Sequence, residues 1–475
     1  MGMLLLLLAA SAFSAVPVES WVSTQDGRQL LSPQAALNFK PSSGTTPADI
    51  PIDESKTYQR ILGLGSSFEH STCFNLSRLE PGARAEAVEK LVSPSTGIGM
   101  NLMRVCIGTP DFTGEPWYTY DDMPAGEKDE ALAHFSIEKD RAYILPLLKL
   151  ALEKNPELLF FASPWSPPGW MKTCDDMIGG HMDPKYYAVY AAYFVKFVEA
   201  YRAEDIPIYA VTVQNEPGVN KRDDERSWWY PSCQWSIIED EDTWGPVPYD
   251  VMGHNERDFI RDHLGPSFAK NELRTKIWCY DHNFSNLWYP RAILSDPKAA
   301  SYVEGVAFHP YAGPSSAMTA LHAEFPDKDL HMTEGSVYGV RGATKIIEHL
   351  RNWACSYNAW VTMLDTNGKP NNGPFEATRT MVTIDPKEPK LEWHFDYYMC
   401  GQFMKFIQRG AIRVDSGDQG KDFAHIAFKN PDGTVVVVIA NRSDAGRNAV
   451  LSWQNQRLKV KLPSQSVATY RWRAN

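Results

Sequence analysis

Two glutamates, each at the end of a strand-like segment, are the residues of this chain best suited to chemistry. The run Ile208–Gln214 is apolar and largely β-branched, a pattern typical of a buried strand, and it leads to Glu216. Pro217 cannot donate a hydrogen bond to a sheet, so we expect the strand to end near Glu216. The segment Leu330–Thr333 has the same form and stops at Glu334. Two carboxyl groups that face one cleft are what cleavage of a glycosidic bond requires.

Further side chains that can bind a sugar follow the other strand-like segments. If these segments form one barrel of parallel strands, their carboxyl ends meet at a single rim, where barrel enzymes carry their active sites. A tryptophan face packs against the apolar face of a sugar ring, and carboxylates and amides bind its hydroxyl groups. The residues at these ends are Ser66, Phe68, Glu69, Arg104, Asp111, Trp165, Asn215, Asp281, His282, His309, Tyr311, Trp360 and Asp365. Their composition suits a carbohydrate ligand.

Two charge effects are expected within this group. Arg104 should neutralise neighbouring carboxylates and help to keep Glu334 ionised. The negative charge of Glu334 should in turn raise the pKa of Glu216, so that Glu216 holds a proton near neutral or mildly acidic pH. The alternative is that these residues have only structural roles. His309 would then be a buried core histidine and Asp111 a turn residue.

Eight strand-like segments alternate with helical ones, and this alternation predicts an α/β fold of the (β/α)8 TIM-barrel type. The predicted strands are Ile61–Leu64, Asn101–Ile107, Leu158–Ala162, Ile208–Gln214, Lys276–Tyr280, Gly305–Phe308, Leu330–Thr333 and Ala359–Leu364. The predicted helices include Pro81–Leu91, Ile137–Lys154, Asp183–Arg202 and Glu256–Leu264. A doubly wound sheet is the alternative, but Gly63-Leu64-Gly65 lacks the third glycine of a phosphate-binding fingerprint.

The pattern becomes all-β after Phe406. Alternating segments, separated by turns such as Asn430-Pro431-Asp432-Gly433, predict a β-sandwich that shares strands with residues 19–58. The termini would then lie together. The predicted organisation is a signal peptide over 1–18, N-terminal sandwich strands over 19–58, a catalytic barrel over 59–405 and the C-terminal sandwich over 406–475.

Composition narrows the classes of function. A net charge of −11 without a basic stripe argues against nucleic acid as a partner. The apolar run Leu4–Leu8, followed by small residues, is typical of a signal peptide and predicts a secreted or otherwise exported protein. No later stretch is long enough to be a transmembrane segment. The oligomeric state is left open.

Metal and cofactor chemistry are not indicated. The seven cysteines are odd in number and form no CxxC pair, which argues against a zinc site or a disulfide scaffold. His181-Met182-Asp183 is better explained as a helix start than as a metal site. No Gly-rich phosphate loop follows a strand. We therefore expect no metal and no organic cofactor.

Several segments, taken in order, resemble family 30 glycoside hydrolases of the glucosylceramidase type, which are retaining β-glycosidases of clan A. The similarity extends over nearly all of the chain after the predicted signal peptide. The segments that carry it are Arg104–Phe112, Ala162–Lys172 with its Ser-Pro-Trp run, Ala210–Pro217, Arg257–Ile260, His309-Pro310-Tyr311, Thr333-Glu334, Asn441-Arg442-Ser443 and Tyr470-Arg471-Trp472.

The resemblance implies a role for individual residues. Glu216 would be the acid/base and Glu334 the nucleophile of a double displacement, with their carboxyl groups about 5–5.5 Å apart. Tyr230 would match a tyrosine that faces the acid/base. The side chains implied to line the subsite for the non-reducing sugar are Asp111, Trp165, Asn215, His309 and Trp360.

Two segments depart from the pattern of the lipid-cleaving members. Asn220–Tyr249 is longer and richer in charge and tryptophan, and Asp365–Pro374 differs after the last predicted strand. Both should border the leaving group, so β-1,6-glucan, simple β-glucosides and β-xylosides stand as alternatives to glucosylceramide. The rival of another class is a carbohydrate-binding protein without turnover. A barrel lyase or aldolase would need a Schiff-base lysine or a metal at the rim.

Overall fold

The fold is described from a computed structural model of the chain. The structure describes residues 16–42, 47–218, 230–235, 249–336, 338–377 and 379–473. Residues 1–15 of the predicted signal peptide and most of the tryptophan-rich segment Asn220–Tyr249 lie outside these ranges. Among the described residues, no helix has the length and apolar character needed to cross a membrane.

Eight parallel strands form the central sheet, and we number them β1 to β8 in chain order. They are Gly63–Gly65 (β1), Leu102–Ile107 (β2), Leu159–Pro164 (β3), Ile208–Thr212 (β4), Lys276–Asn283 (β5), Val303–His309 (β6), Asp329–Met332 (β7) and Ala354–Asn358 (β8). Strands consecutive in the chain from β2 to β8 are neighbours in the sheet, and β8 pairs with β1. The ring closes between β1 and β2, where Ser67 bridges Arg104 and the Arg104 N–H donates to the Ser66 carbonyl at 2.9 Å. The predicted TIM barrel is confirmed.

The position predicted for the eighth strand is wrong. Ala354–Asn358 forms β8, and of the predicted segment Ala359–Leu364 the first four residues form a loop while Met363 and Leu364 begin a strand of a different sheet. The sequence of β8, Ala-Cys-Ser-Tyr-Asn, is too polar to stand out as a strand, yet all five residues are buried. Asn358 explains how: its amide donates to the carbonyl oxygens of Ser66 and Leu102 at 3.0 and 2.7 Å. Buried polar groups are tolerated when they are paired in this way.

Helices cover the outside of the barrel. The α-helices are His70–Ser77, Pro81–Val92, Ile144–Lys154, Tyr187–Ala203, Tyr249–Phe259, Gly265–Lys270, Trp288–Leu294, Pro297–Tyr302, Ser316–Glu324, Gly339–Arg351 and Phe395–Met404. Short 3-10 segments span Glu138–Ala142, Gly169–Met171 and Pro184–Tyr186, and Ile260–Leu264 is a π-helical turn. The predicted helix Ile137–Lys154 is thus divided, and Pro146 lies in the first turn of its α-helical part, where a missing N–H costs no hydrogen bond.

The inside of the barrel is filled by side chains. Leu102, Phe161, Ala210, Trp278 and Ala307, from five successive strands, form one buried cluster. Packing of this kind is typical of TIM barrels, whose interior is a core and not a channel. The rim beyond the carboxyl ends of the strands is therefore the part of the barrel that can hold a ligand.

A second sheet contains eleven strands and is built from both ends of the chain. They are Pro17–Thr24, Ser32–Pro33, Leu37–Asn38, Lys40–Pro41, Ile50–Arg60, Ile412–Asp415, Phe423–Lys429, Thr434–Asn441, Arg447–Trp453, Gln456–Leu462 and Ser466–Arg473. Pro17–Thr24 pairs antiparallel with Ser466–Arg473, which brings the described ends of the chain together. Ile50–Arg60 pairs with Ile412–Asp415 on one side and with Arg447–Trp453 on the other. The sandwich predicted from both termini is confirmed.

A small third sheet lies on the path from β8 back to the sandwich. Its strands are Met363–Asp365, Val382–Ile384 and Leu391–Trp393. The first two pair in parallel and the last two antiparallel. This sheet fixes the ends of the loop that contains the divergent segment Asp365–Pro374.

Candidate active site

A cavity of about 600 Å³ opens at the carboxyl ends of the barrel strands. Its volume is within the range usual for small-molecule sites. The residues that line it are Asp111, Phe112, Trp165, Asn215, Glu216, Tyr230, His282, Asn283, Tyr311, Glu334, Ser336, Tyr338, Trp360, Phe375, Glu376, Ala377 and Arg379. Nine of the candidates from the sequence are in this lining, namely Asp111, Trp165, Asn215, Glu216, Tyr230, His282, Tyr311, Glu334 and Trp360. Two further candidates, Arg104 and His309, are fully buried and contact the glutamates of the cavity.

The two glutamates approach each other across the cavity. His309 Nδ1 lies 3.1 Å from Glu216 Oε1 and 3.8 Å from Glu334 Oε1. The two carboxylate oxygens are therefore no farther apart than 6.9 Å, the sum of 3.1 and 3.8 Å. A separation of about 5–5.5 Å is typical of retaining glycosidases, and about 6.5–9.5 Å of inverting ones. The upper limit of 6.9 Å excludes most of the range of separations that is typical of inverting glycosidases.

Arg104 on β2 connects the residues of the site. Its guanidinium donates to Glu334 Oε2 at 2.6 Å, to Asn215 Oδ1 at 2.8 Å and to Asp281 Oδ2 at 2.8 Å. A further bond at 3.2 Å reaches Ser163 Oγ. An arginine with two carboxylate partners stays charged even when it is fully buried, and it offsets their mutual repulsion. The expectation that Arg104 would contact Glu334 agrees with this geometry.

Asp281 joins Arg104 to His309. The sequence placed it at the end of a strand but assigned it no particular role. Its Oδ2 also accepts from Thr212 Oγ1 at 2.7 Å, and its Oδ1 accepts from Thr333 Oγ1 at 2.5 Å and lies 3.1 Å from His309 Nε2. Burial raises the pKa of Asp281, but the charges of Arg104 and His309 and these hydrogen bonds lower it by more. The pKa of Asp281 is therefore below its ordinary value. Asp281 is thus a fixed anion beneath the cavity.

An irregularity in β5 turns Asp281 toward the barrel axis. The pairing of β5 with β6 shifts register between Tyr280 and His282, and both Tyr280 and Asp281 have left-handed backbone angles, φ 77° and 56°. Glu216 is also left-handed, at φ 49°, and its N–H donates to the Asp281 carbonyl at 3.1 Å. Residues other than glycine adopt this conformation at a cost, and such positions are concentrated at functional sites.

Glu256 supports this irregularity from the helix Tyr249–Phe259. Its Oε1 accepts the Tyr280 N–H at 3.0 Å, and its Oε2 accepts from the Tyr289 hydroxyl. Burial raises the pKa of Glu256 from 4.5 to about 7, against the lowering effect of these two bonds. The carboxyl therefore takes up a proton on folding at mildly acidic pH.

We expect Glu256 to make the folded protein less stable as the pH rises through neutrality. Because the folded-state pKa is raised, the stabilising contribution of protonation is complete below pH 4.5 and is lost as the pH rises through about 7. The full change corresponds to about 3 kcal/mol. Glu256→Gln keeps the shape and removes the titration. The melting temperature of the wild type, relative to this variant, should fall by a few degrees between pH 5 and pH 8 in thermal denaturation.

The matched control is Glu388→Gln, an exposed residue of the same type. Its melting temperature should differ from that of the wild type by the same amount at both pH values. A difference for Glu256→Gln that does not change with pH would show that Glu256 has the same pKa in the folded and unfolded protein.

The charge state of Glu216 differs from the sequence-based expectation. Burial raises its pKa, but the interactions of its carboxylate with His282 and His309 and the charges of these two rings lower it by more, so its pKa lies below the ordinary value. Burial lowers the pKa of His309, whereas the charge of Glu334 and the bonds to Asp281 and Glu216 raise it to about 10. The lowered pKa of Glu216 and the raised pKa of His309 both favour the proton of the 3.1 Å contact on His309.

Two tyrosines contact the two glutamates from the rim. The Tyr311 hydroxyl donates to Glu334 Oε1 at 2.8 Å, and the Tyr230 hydroxyl donates to Glu216 Oε2 at 3.3 Å. Burial raises the pKa of both tyrosines well above 10, so both hydroxyls keep their protons. Each glutamate thus has a tyrosine donor that fixes one carboxylate oxygen.

Aromatic rings form one wall of the cavity. Trp165 and Trp360 stack with centroids 5.0 Å apart and an angle of 21°, and Phe112 meets Trp360 edge-on. The Arg104 guanidinium carbon lies 4.7 and 5.2 Å from the two tryptophan centroids. Asp111 lies beside this wall. Burial and the charge of Glu334 raise its pKa well above 3.8.

Two groups of side chains in the described residues have the spacing of metal ligands. They are Glu216 with His282 and His309, and Asp329 with His331 and Cys355. In the first group Glu216 and His309 are hydrogen-bonded to each other. In the second, His331 stacks on Trp278 at 3.7 Å and contacts Ser356 and Glu304. Hydrogen bonding and packing account for both arrangements.

Comparisons with protein families give matches over most of the chain. The model of the glycosyl hydrolase family 30 TIM-barrel domain matches residues 61–232 and 250–407. The model of the glycosyl hydrolase family 30 beta sandwich domain matches residues 410–470. The barrel and the sandwich of the structure correspond to these two matches.

Relatives named as endo-1,6-glucanases and relatives named as glucosylceramidases are both similar to this chain over most of their length. Endo-1,6-beta-D-glucanase of Neurospora crassa is 32% identical over 92% of this chain and 91% of its own length. Lysosomal acid glucosylceramidase of Mus musculus is 28% identical over 95% and 88%. Among solved structures, an endo-beta1,6-glucanase is 29% identical with a TM-score of 0.83, covering 96% of this chain and 99% of that one. SrfJ of Salmonella typhimurium is 25% identical with a TM-score of 0.86, covering 97% and 100%.

Proposed function

Because this chain belongs to glycosyl hydrolase family 30, we propose that it cleaves β-1,6-linked glucan with retention of configuration, with Glu216 as acid/base and Glu334 as nucleophile. The observation that carries the proposal is the position of the two carboxylates. They face one cavity, within the 6.9 Å set by their shared contact with His309. Membership of the family makes the chain a glycoside hydrolase. The roles of the residues and the choice of substrate are the proposal.

In the first step a Glu334 oxygen attacks the anomeric carbon. The bond from that carbon to the leaving oxygen breaks, and Glu216 gives its proton to the leaving oxygen. This forms a covalent glycosyl–enzyme ester on Glu334. Arg104 at 2.6 Å and Tyr311 at 2.8 Å hold the two Glu334 oxygens in place for the attack.

The proton for this step comes from the Glu216–His309 pair. The 3.1 Å contact lets the proton move from His309 Nδ1 to Glu216 Oε1, and the pair then presents a neutral acid to the leaving oxygen. Asp281, bonded to His309 Nε2, keeps the ring oriented and stabilises its charged form.

In the second step Glu216 acts as a base. It removes a proton from water, the water oxygen attacks the anomeric carbon, and the ester bond to Glu334 breaks. Two inversions at the same carbon give net retention. No group other than the side chains and water is required by this sequence of steps.

The sugar that carries the reacting anomeric carbon would lie between the tryptophan wall and two polar side chains. Trp165 and Trp360 offer apolar faces to the ring. Asn215, held by Arg104 at 2.8 Å, and Asp111 face its hydroxyls. A carboxyl with a raised pKa can donate as well as accept a hydrogen bond, which suits Asp111 to a sugar hydroxyl.

The choice of β-1,6-glucan rests on similarity and on the loops beside the leaving group. Both a relative and a solved structure that match nearly full length are endo-1,6-glucanases. The divergent loop Asp365–Pro374 borders the cavity through its continuation to Phe375 and Ala377. Glucosylceramide is the second candidate, because glucosylceramidases are similar over comparable lengths. β-Xylosides are a further alternative within the family.

We also propose that the protein is exported, to a periplasmic, extracellular or lysosomal location according to the host. The support is the apolar run Leu4–Leu8 with the small residues after it.

The test is a comparison of substrates with the purified protein. We expect β-1,6-glucan to be cleaved to short oligosaccharides at a higher kcat/KM than glucosylceramide in detergent micelles, xylan or an aryl β-glucoside. Proton NMR of the first turnovers should show the β-anomer of the new reducing end. An α-anomer as first product would contradict the double displacement. Preference for glucosylceramide would replace the proposed substrate by the second candidate.

A further inference from the structure

We propose that Trp288 forms an outer sugar-binding subsite. A glucosyl unit in the part of the glucan chain that extends outside the cavity would stack on it. The proposal rests on the proposed function, because it needs a substrate that extends beyond the reacting sugar. It adds a binding position that the cavity itself does not include.

In the residues that the structure describes, three aromatic side chains are exposed. In the described part of the chain, the large hydrophobic residues that are most exposed are Trp288 at 68%, Tyr311 at 48% and Phe375 at 40%. Tyr311 and Phe375 both line the cavity, where Tyr311 contacts Glu334 and Phe375 packs 6.0 Å from Tyr230. All three residues follow the carboxyl ends of barrel strands, namely β5, β6 and β8.

Trp288 is connected to the cavity through the loop that follows β5. Asn283, the last residue of β5, lines the cavity, and its side chain accepts the Tyr311 N–H at 3.0 Å. Trp288 comes five residues later and begins the next helix. Five residues span at most about 18 Å, a distance that a few glucosyl units can cover.

A cation lies against the Trp288 ring. The Arg291 guanidinium lies 5.6 Å from its centroid, and Arg291 is bound to Glu324 by two bonds of 2.8 and 2.5 Å. The backbone N–H of Trp288 donates to Asn286 Oδ1 at 3.0 Å, which fixes the chain where the helix begins. A cation against one face of the ring leaves the opposite face for a ligand.

The surroundings favour a sugar over an apolar partner. A single exposed hydrophobic residue is common and needs no ligand. Here, however, the ring lies beside the guanidinium of the Arg291–Glu324 ion pair. An exposed aromatic face next to charged groups is the kind of surface that binds the apolar side of a pyranose while its hydroxyls stay in contact with water.

The experiment compares Trp288→Ala with Trp288→Tyr on two substrates. For polymeric β-1,6-glucan we expect Trp288→Ala to raise KM roughly fivefold to tenfold with little change in kcat. For an aryl β-glucoside, which is too short to reach Trp288, both constants should stay within about twofold of the wild type. Trp288→Tyr retains an aromatic face and should recover most of the loss.

A second readout separates this proposal from the substrate assignment. Binding of soluble β-1,6-glucan to Glu334→Gln, measured by affinity electrophoresis, should weaken when Trp288→Ala is added, whether or not the wild type cleaves that polymer. Equal changes on both substrates, or unchanged glucan binding in the double variant, would overturn the proposal. A change in oligomeric state of Trp288→Ala, seen by light scattering, would instead make the ring a contact with a second copy of the chain.

Discussion

Replacing Glu334 by glutamine should lower kcat on an aryl β-glucoside by at least about a thousandfold. Glutamine has the same shape, but its amide cannot form the ester through which the proposed reaction proceeds. Its oxygen can still accept from Arg104, now at 2.6 Å from Glu334 Oε2, and its nitrogen can donate to the Tyr311 oxygen. The variant should therefore fold and still bind sugar.

The measurement pairs initial rates with circular dichroism and glucan binding. Glu388→Gln, on the surface, is the matched control and should keep wild-type rates. Turnover of Glu334→Gln within about tenfold of the wild type would exclude Glu334 as the nucleophile. Loss of both the fold and the rate would be uninformative with glutamine alone, so Glu334→Asp provides a second test. It keeps the charge beside Arg104, shortens the reach to the anomeric carbon, and should be slow but folded.

Replacing Glu216 by alanine should produce a different pattern, because acid catalysis matters only for poor leaving groups. On a glucan or an unactivated glucoside we expect kcat to fall by about a thousandfold or more. On a dinitrophenyl β-glucoside the first step needs no proton, so the ester on Glu334 should form and then hydrolyse slowly. Azide can enter the space left by the side chain and attack the ester without a base. It should raise the rate roughly tenfold or more.

The product identifies the role. Azide attack after one displacement should give the β-glucosyl azide, since it repeats the path of water from the Glu216 side. An α-azide, or an unchanged rate on both substrates, would assign the acid/base to another residue. His309→Gln is a useful companion variant, because it keeps a group that can bond to Glu216 but cannot carry the shared proton. On an unactivated glucoside its pH–rate profile should lose the alkaline limb that Glu216→Ala also loses, because that limb reports loss of the proton that the pair donates to the leaving oxygen.

The sequence was most informative where a chemical group and a strand end coincide. Glu216 and Glu334 each end an apolar run, so periodicity placed both at one rim before any distance was known. The eighth strand was misplaced because Ala354–Asn358 is polar. Its burial depends on a hydrogen bond from the Asn358 side-chain amide to the carbonyl of Ser66, almost 300 positions away in the chain. Pattern reading along the chain contains no information about such bonds.

Asp281 shows the other limit. It was one of several polar residues at strand ends, and nothing in its neighbours marked it as the partner of both Arg104 and His309. Its importance follows from the register shift and left-handed backbone at Tyr280, which turn its side chain inward. The signal that could have found it is the need of a buried arginine for more than one anion. The pKa of Glu216 was misjudged for a related reason, since only the fold brings two histidines against it.

Arg104 links the closure of the barrel to the position of the proposed nucleophile. Its backbone joins the first and second barrel strands, and its side chain donates a hydrogen bond to Glu334. The first strand has only three residues, so this seam has fewer ladder bonds than the others. We expect thermal motion that parts the seam to displace Arg104 and so to loosen its bond to Glu334. Hydrogen exchange at the seam and heat inactivation of the enzyme would then report the same opening event, well before the rest of the barrel melts.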